Sequence, residues 1–226
     1  MKFKNRLKKA MLLLTAFGLA VSCENNDVDV FGSADLKVVN AAPNSGSQRF
    51  ILANIPEISN LSYLEHSVGY LKVASGNKLV AEFRDQNDND LYAKKEYDLN
   101  DKGNYTIFLT GSSTTDADIK LFQDDLSSPS SGKARVKFIH LSTGAPSSID
   151  FRNAEGIILT SNLGRYAQSS YIEITAGSFA IGASASGETS ALTTLPASDF
   201  SAGKIYTVFI SGSPESGYTV KKLLLN

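Results

Sequence analysis

From residue 34 onward, apolar and polar residues alternate over short runs. In Tyr105-Thr106-Ile107-Phe108-Leu109-Thr110 the odd positions Tyr105, Ile107 and Leu109 fall on one face, and Tyr206, Val208 and Ile210 do the same later in the chain. A period of two is that of a strand, not of a helix. Strings rich in turn-forming residues separate the runs: Ser75-Gly76-Asn77, Asn87-Asp88-Asn89-Asp90, Ala176-Gly177-Ser178 and Ser186-Gly187-Glu188. Glycine reaches positive φ at such places without a Cβ clash. The runs recur at a spacing of about 8–12 residues, which predicts small β-sandwiches. No amphipathic helix is expected after residue 33.

The pattern is written twice. Ala34-Asp35-Leu36-Lys37-Val38-Val39-Asn40 aligns with Ala134-Arg135-Val136-Lys137-Phe138-Ile139-His140. Tyr70-Leu71-Lys72-Val73-Ala74-Ser75-Gly76 aligns with Tyr171-Ile172-Glu173-Ile174-Thr175-Ala176-Gly177, and Tyr105–Ser112 with Tyr206–Ser213. The order and the offset are conserved between blocks, so the body reads as a duplicated domain. A repeat this long holds a core of its own, unlike a solenoid repeat. The Ser-, Pro- and Gly-rich stretch Asp124–Lys133 reads as a linker. The expectation is all-β: two tandem immunoglobulin-like or transthyretin-like β-sandwich domains after an N-terminal signal peptide. The boundaries are 1–22 for the signal, 23–33 for a flexible tether, 34–129 for the first domain and 130–226 for the second.

The opening of the second copy, from Ala134 to Ser142 and then Gly144-Ala145-Pro146, resembles a bacterial family known as domain of unknown function 4397. The Tyr171–Gly177 block and Gly203-Lys204-Ile205-Tyr206-Thr207-Val208 fit the same pattern. The first copy departs from it, with Asn40 in place of the histidine and Ala41-Ala42-Pro43-Asn44 in place of the Ser-Pro stretch. The resemblance implies an exported β-domain, often in tandem and often on a lipoprotein. It implies no activity.

The first residues read as an address. Lys2, Lys4, Arg6, Lys8 and Lys9 precede the apolar run Ala10–Val21. A spanning helix needs roughly 20 apolar residues, so the run reads as a cleaved secretory signal. The chain's single cysteine, Cys23, follows at once. Leu19-Ala20-Val21-Ser22-Cys23 resembles the lipobox of bacterial lipoproteins, although Ala20 stands where leucine is usual. The resemblance implies a lipid anchor on Cys23 and a place in the cell envelope, most simply the outer membrane, with surface exposure as a further option. The acidic, aperiodic Glu24–Ser33 reads as the tether.

Composition narrows the chemistry. The chain has 226 residues, 22 basic and 23 acidic side chains. Loss of residues 1–22 takes 5 of the 22 basic residues and none of the 23 acidic ones, leaving a charge near −6. No nucleic-acid partner is expected from that balance. One cysteine and two histidines do not make a cysteine- or histidine-built metal centre,, and no cofactor is expected.

Four features offer chemistry. His140 ends the first strand of the second copy where the first copy has Asn40, which suits a polar cap. His66 lies in a polar stretch with no partner suggested. Asp85-Gln86-Asn87-Asp88-Asn89-Asp90 offers calcium-type oxygens or an ordinary hairpin turn. Phe108 and Phe209, a matched pair opposite the Tyr-Ile-Leu row, are binding candidates that would stack on a glycan or peptide; the competing expectation is that a sheet, loop or neighbouring domain covers them.

The function expected is that of a lipid-anchored envelope protein with a noncatalytic binding or structural role, presenting its two domains to a protein, peptide or glycan. The alternative is a carbohydrate-processing enzyme or accessory using loop carboxylates, such as Asp85 with Glu96 or Asp199 with Glu188. A purely mechanical spacer is a third option.

Overall fold

The computed structural model describes residues 30–226, and all regular elements in that range are strands. Among the described residues no helix is long and apolar enough to cross a membrane. The expected signal, the Cys23 anchor and most of the tether lie outside the described residues.

The first half contains β1 (Val30–Asn40), β2 (Gln48–Leu52), β3 (Ile55–Leu61), β4 (Leu71–Asp85), β5 (Leu91–Leu99), β6 (Asn104–Thr110) and β7 (Asp118–Gln123). The second contains β8 (Lys133–His140), β9 (Ser148–Asn153), β10 (Ile158–Gly164), β11 (Ile172–Thr175), β12 (Gly177–Ala185), β13 (Ala191–Phe200), β14 (Ile205–Ser213) and β15 (Gly217–Leu224).

In the second half two four-stranded sheets form, ordered β10-β9-β12-β13 and β11-β8-β14-β15. The first half repeats this plan with one continuous difference. The beginning of β4 pairs with β1 through Leu71–Gly76, and its later part lies between β2 and β5. A single long strand therefore passes from one sheet to the other, as strands do at sandwich corners. The expected turns at Ser75-Gly76-Asn77 and Ala176-Gly177-Ser178 are corrected accordingly. The first lies inside β4, and the second spans the break at Ala176 and the first residues of β12, Gly177 and Ser178. The glycine marks a change of sheet there, not a reversal of the chain.

The tether expectation is also corrected at its end. Strand β1 begins at Val30, and Val30, Gly32 and Ser33 pair with β4. The Ser33 amide donates to Asp101 Oδ1 at 3.0 Å. A Cβ on Gly32 would run into that carboxylate and displace it from the Ser33 amide.

Each half has a core between its sheets. Leu36, Phe50, Leu79, Phe83 and Ile107 belong to the first, with the Phe50 and Phe83 rings 5.0 Å apart. Phe138, Phe151, Ile181, Phe200 and Val208 belong to the second, with Phe138 and Phe151 4.8 Å apart. The inward rows are the Tyr105-Ile107-Leu109 and Tyr206-Val208-Ile210 faces read from periodicity.

A third apolar cluster joins the halves. It contains Val39, Phe108 and Phe122 from the first, and Ile139, Phe209, Leu223 and Leu225 from the second. These residues stand on the outer faces of β1, β6 and β7 and of β8, β14 and β15. Consequently β6 and β14 are buried on both faces, as central strands between two layers are.

Candidate binding site at the seam between the halves

Phe108 and Phe209 are 0% and 1% exposed, which corrects the expectation that they stack on a ligand. Their centroids lie 5.3 Å apart in an edge-to-face pair, a favourable aromatic geometry. Each ring covers the sheet face from which the other projects. Their polar neighbours Thr106, Thr110, Thr207 and Ser211 are equally buried. Ser211 Oγ donates to the Ala41 carbonyl at 2.5 Å and lies 3.2 Å from Tyr63 Oη. The Ser211 hydroxyl thereby ties the two halves together.

Beside the rings lies a buried polar cluster. Lys137 on β8 and Asp124 just after β7 form an ion pair at 2.7 Å, with side chains 1% and 0% exposed. Lys137 Nζ also donates to the Gln123 carbonyl and to Gln168 Oε1, each at 3.0 Å. All three of its N–H donors are thereby used. The other Asp124 oxygen accepts from Thr106 Oγ1 at 2.6 Å and Tyr70 Oη at 2.7 Å. A buried ion pair is tolerable when its remaining valences are filled in this way.

Residues aligned between the two repeated sequence blocks recur in the cluster. Lys37 lies over the Tyr70 ring at 5.3 Å, and Lys137 over Tyr171 at 5.4 Å. One carboxylate, Asp124, serves this pseudo-symmetric arrangement. Burial lowers the Lys137 ammonium from its ordinary value, with Asp124 opposing the shift. Burial likewise lowers Lys37, again against Asp124. Burial, and then Asp124, push the Tyr70 phenol far upward, so it stays a neutral donor. The stretch Asp124–Lys133 is therefore more than a linker: its first residue anchors one half to the other. Two signals in the sequence pointed here, the lysine repeated inside both opening strands and the repeated tyrosine.

An open cavity of about 780 Å³ borders this cluster, lined among others by Asn104, Gln123, Asp125, Ser127, Gln168 and Tyr171. Asp125 is engaged by Arg135 at 2.7 Å, and the guanidinium holds its carboxyl well below the usual range. Arg135 also stacks on Tyr171 at 4.6 Å. The wall thus offers amides and hydroxyls, beside a tyrosine ring and two carboxylates already committed to cations. Such a surface suits hydrogen bonding to a polar ligand better than proton transfer.

The remaining residues stay apart from this site. His140 is buried, and its Nε2 lies 2.9 Å from the Pro146 carbonyl. Asn40 holds the same place, donating to Ser45 Oγ and the Leu61 carbonyl. Both are polar plugs at a strand end. His66 is exposed and lies 2.8 Å through Nδ1 from the Ser67 carbonyl. In Asp85–Asp90 the Asp85 carboxylate accepts from the Asn87 amide and that of Asp88 from the Asp90 amide. That is the hydrogen bonding of a hairpin turn. Among the described residues no three His, Cys, Asp or Glu side chains group as a metal site.

The carboxylate pairs of the enzymatic alternative do not meet. Glu96 sits opposite Val80, five residues along β4 from Asp85, a separation of about 16 Å. Asp199 faces Ser178 at the start of β12, whereas Glu188 lies in the turn after its far end.

Comparison with known proteins adds the lineage. No curated protein matches the chain. Among solved structures, a family-26 carbohydrate-binding module from Eubacterium rectale in complex with maltoheptaose aligns at 14% identity and a TM-score of 0.27. That alignment covers 84% of this chain and 97% of the module. A family described as a domain of unknown function, number 4397, matches residues 34–152. The match runs from β1 through the whole first half and into β9, and it spans more than half of the chain. The chain belongs to that family of domains of unknown function.

Proposed function

We propose that this is a noncatalytic binding protein of the bacterial cell envelope, held by lipid on Cys23, whose seam cavity receives a polar ligand. Its body is two copies of one domain, residues 34–129 and 130–226, joined as a single rigid unit. The observation that carries the reading is the cavity beside the Lys137–Asp124 pair. Its walls come from both copies, so their mutual docking is what creates the site. Amides and hydroxyls on a wall braced by the Arg135–Tyr171 stack suit the hydroxyls of a glycan or the backbone of an extended peptide,.

Two measurements test this. Radiolabelled palmitate is expected to enter the protein in cells and to be lost with Cys23→Ser; a mature product without label would remove the anchor. Titration with neutral oligosaccharides and short peptides is expected to shift the side-chain amide resonances of Asn104, Gln123 and Gln168 saturably. Asn104→Ala together with Gln123→Ala is expected to weaken that binding about tenfold, the loss of one or two good hydrogen bonds. Flat titrations across both panels would overturn the seam as a ligand site.

A further inference from the structure

The duplication supplies an internal comparison on the opposite sheet. In the first half the outward face between β2, β4 and β5 is filled. Glu82 of β4 takes Arg84 at 2.8 Å and Lys94 at 3.3 Å. Its register partner on β2 is Ile51, beside the core pair Phe50 and Phe83. In the second half Arg152 of β9 faces Gly182 of β12, beside Phe151 and Ala183. Gly182 therefore stands where the first copy has the Glu82 carboxylate.

The missing side chain leaves a trough of about 250 Å³ floored by Ala180, Gly182 and Ala191 and bordered by Arg152, Ser184 and Thr194. Two of its polar groups lack partners among the described residues. Ser184 is 2% exposed and its Oγ has none. Arg152 Nε has none either. The same guanidinium reaches Asp150 Oδ2 at 3.0 Å and the Gly156 carbonyl only at 3.5 Å. Asp150 is the counter-charge of Arg152, but its oxygens are shared with other donors and leave the rest of the guanidinium fork unfilled. The Asp150 oxygens also accept from the Asn162 and Gly187 amides and from Ser186 Oγ. Donors are thus in surplus around an empty place.

We infer that this trough binds a carboxylate borne on a single sugar or amino-acid residue, which takes the place that Glu82 fills in the first copy. A guanidinium fork matches a carboxylate, and the volume admits one such residue. Acidic glycans and peptide C-termini both carry this group. The site lies on the β9-β12-β13 sheet and is independent of the seam cavity.

Amide NMR on the full chain with four probes tests it. D-Glucuronate or N-acetylalanine is expected to shift the Arg152, Gly182 and Ser184 amides saturably, whereas glucose and N-acetylalanine amide are not. The carboxylate that binds more tightly identifies an acidic glycan or a peptide C-terminus as the source. Arg152→Gln is expected to weaken binding about tenfold, as loss of a charge-assisted hydrogen bond does. Gly182→Glu rebuilds the first copy's own carboxylate in the trough. An added Cβ meets Ala191 Cβ at 3.4 Å and Thr194 Oγ1 at 3.7 Å, so the variant is expected to fold and to abolish binding. Its Asn104, Gln123 and Gln168 side-chain resonances should stay in place, which separates this result from any failure of the seam. Equal shifts from the neutral probes, shifts that survive Gly182→Glu, or no saturable shift from either carboxylate would overturn the proposal.

Discussion

His140 and Asn40 solve one problem with different chemistry. Asn40 donates and accepts at once, because its Oδ1 also takes the Ala42 amide at 3.1 Å. His140 uses Nε2 alone, and its buried Nδ1 has no partner among the described residues. Burial lowers the imidazole from its ordinary 6.5; the bond to Pro146 opposes this and Arg165 adds to it. With the folded value depressed, the unfolded chain takes up the proton first as pH falls. Stability is complete above about 6.5 and declines below it. Urea unfolding between pH 7 and pH 5 is expected to show this decline, and His140→Asn to flatten it; an identical slope in the variant would exclude His140 as its source. Asp150 acts lower on the scale. Burial alone would raise its carboxyl, but the Asn162 and Gly187 amides, Ser186 and Arg152 outweigh that and hold it low. Its stabilisation is present above the ordinary 3.8 and lost as pH falls through the depressed value,. Asp150→Asn is expected to remove this acid-limb loss and to lower stability at neutral pH.

Strands β6 and β14 carry the seam. Each gives alternate positions, Tyr105, Ile107 and Leu109 in β6 and Tyr206, Val208 and Ile210 in β14, to its own core and one phenylalanine to the other half. Phe209→Ala is expected to cost about 3–5 kcal/mol in chemical denaturation. Combined with Phe108→Ala the losses should fall short of additivity, since each ring removes the other's partner. A double variant whose cost is the plain sum would mean that the rings do not support one another. Lys137→Met leaves the Asp124 charge buried with only two hydroxyl donors, and is expected to cost about 3 kcal/mol. The alternation along these strands was legible from the residues. The burial of their second face was not, because a phenylalanine bracketed by threonines on one strand looks the same whether water or a second sheet lies above it.

At the scale of the whole molecule, the seam couples two cores that would otherwise unfold independently. Apolar contact, the edge-to-face rings and one ion pair with filled valences all act across it. Urea unfolding of the chain is expected to be one cooperative transition. Phe209→Asp, which places a charge against Phe108, is expected to split it into two. Two transitions in the unaltered chain would show that the halves are linked only by Asp124–Lys133. Rigidity bears on function, because the cavity at the seam exists only while both copies hold one orientation.

The sequence by itself determined the all-β class and the inward faces of the strands, and its self-alignment carries the reading of a duplicated domain. Those follow from local periodicity and from comparing the chain with itself, and neither needs a partner surface. It also singled out His140 and Asn40 as a matched polar pair. Only the tertiary structure decided what the outward faces do. It decided between the two expectations for Phe108 and Phe209, making them buried keystones, and turned Asp124 from a linker residue into the charge that fixes Lys137. It also set an empty place at Gly182 where the first copy has a carboxylate. Outward faces are specified by what packs against them, and that depends on docking between residues a hundred positions apart, which a local pattern does not encode.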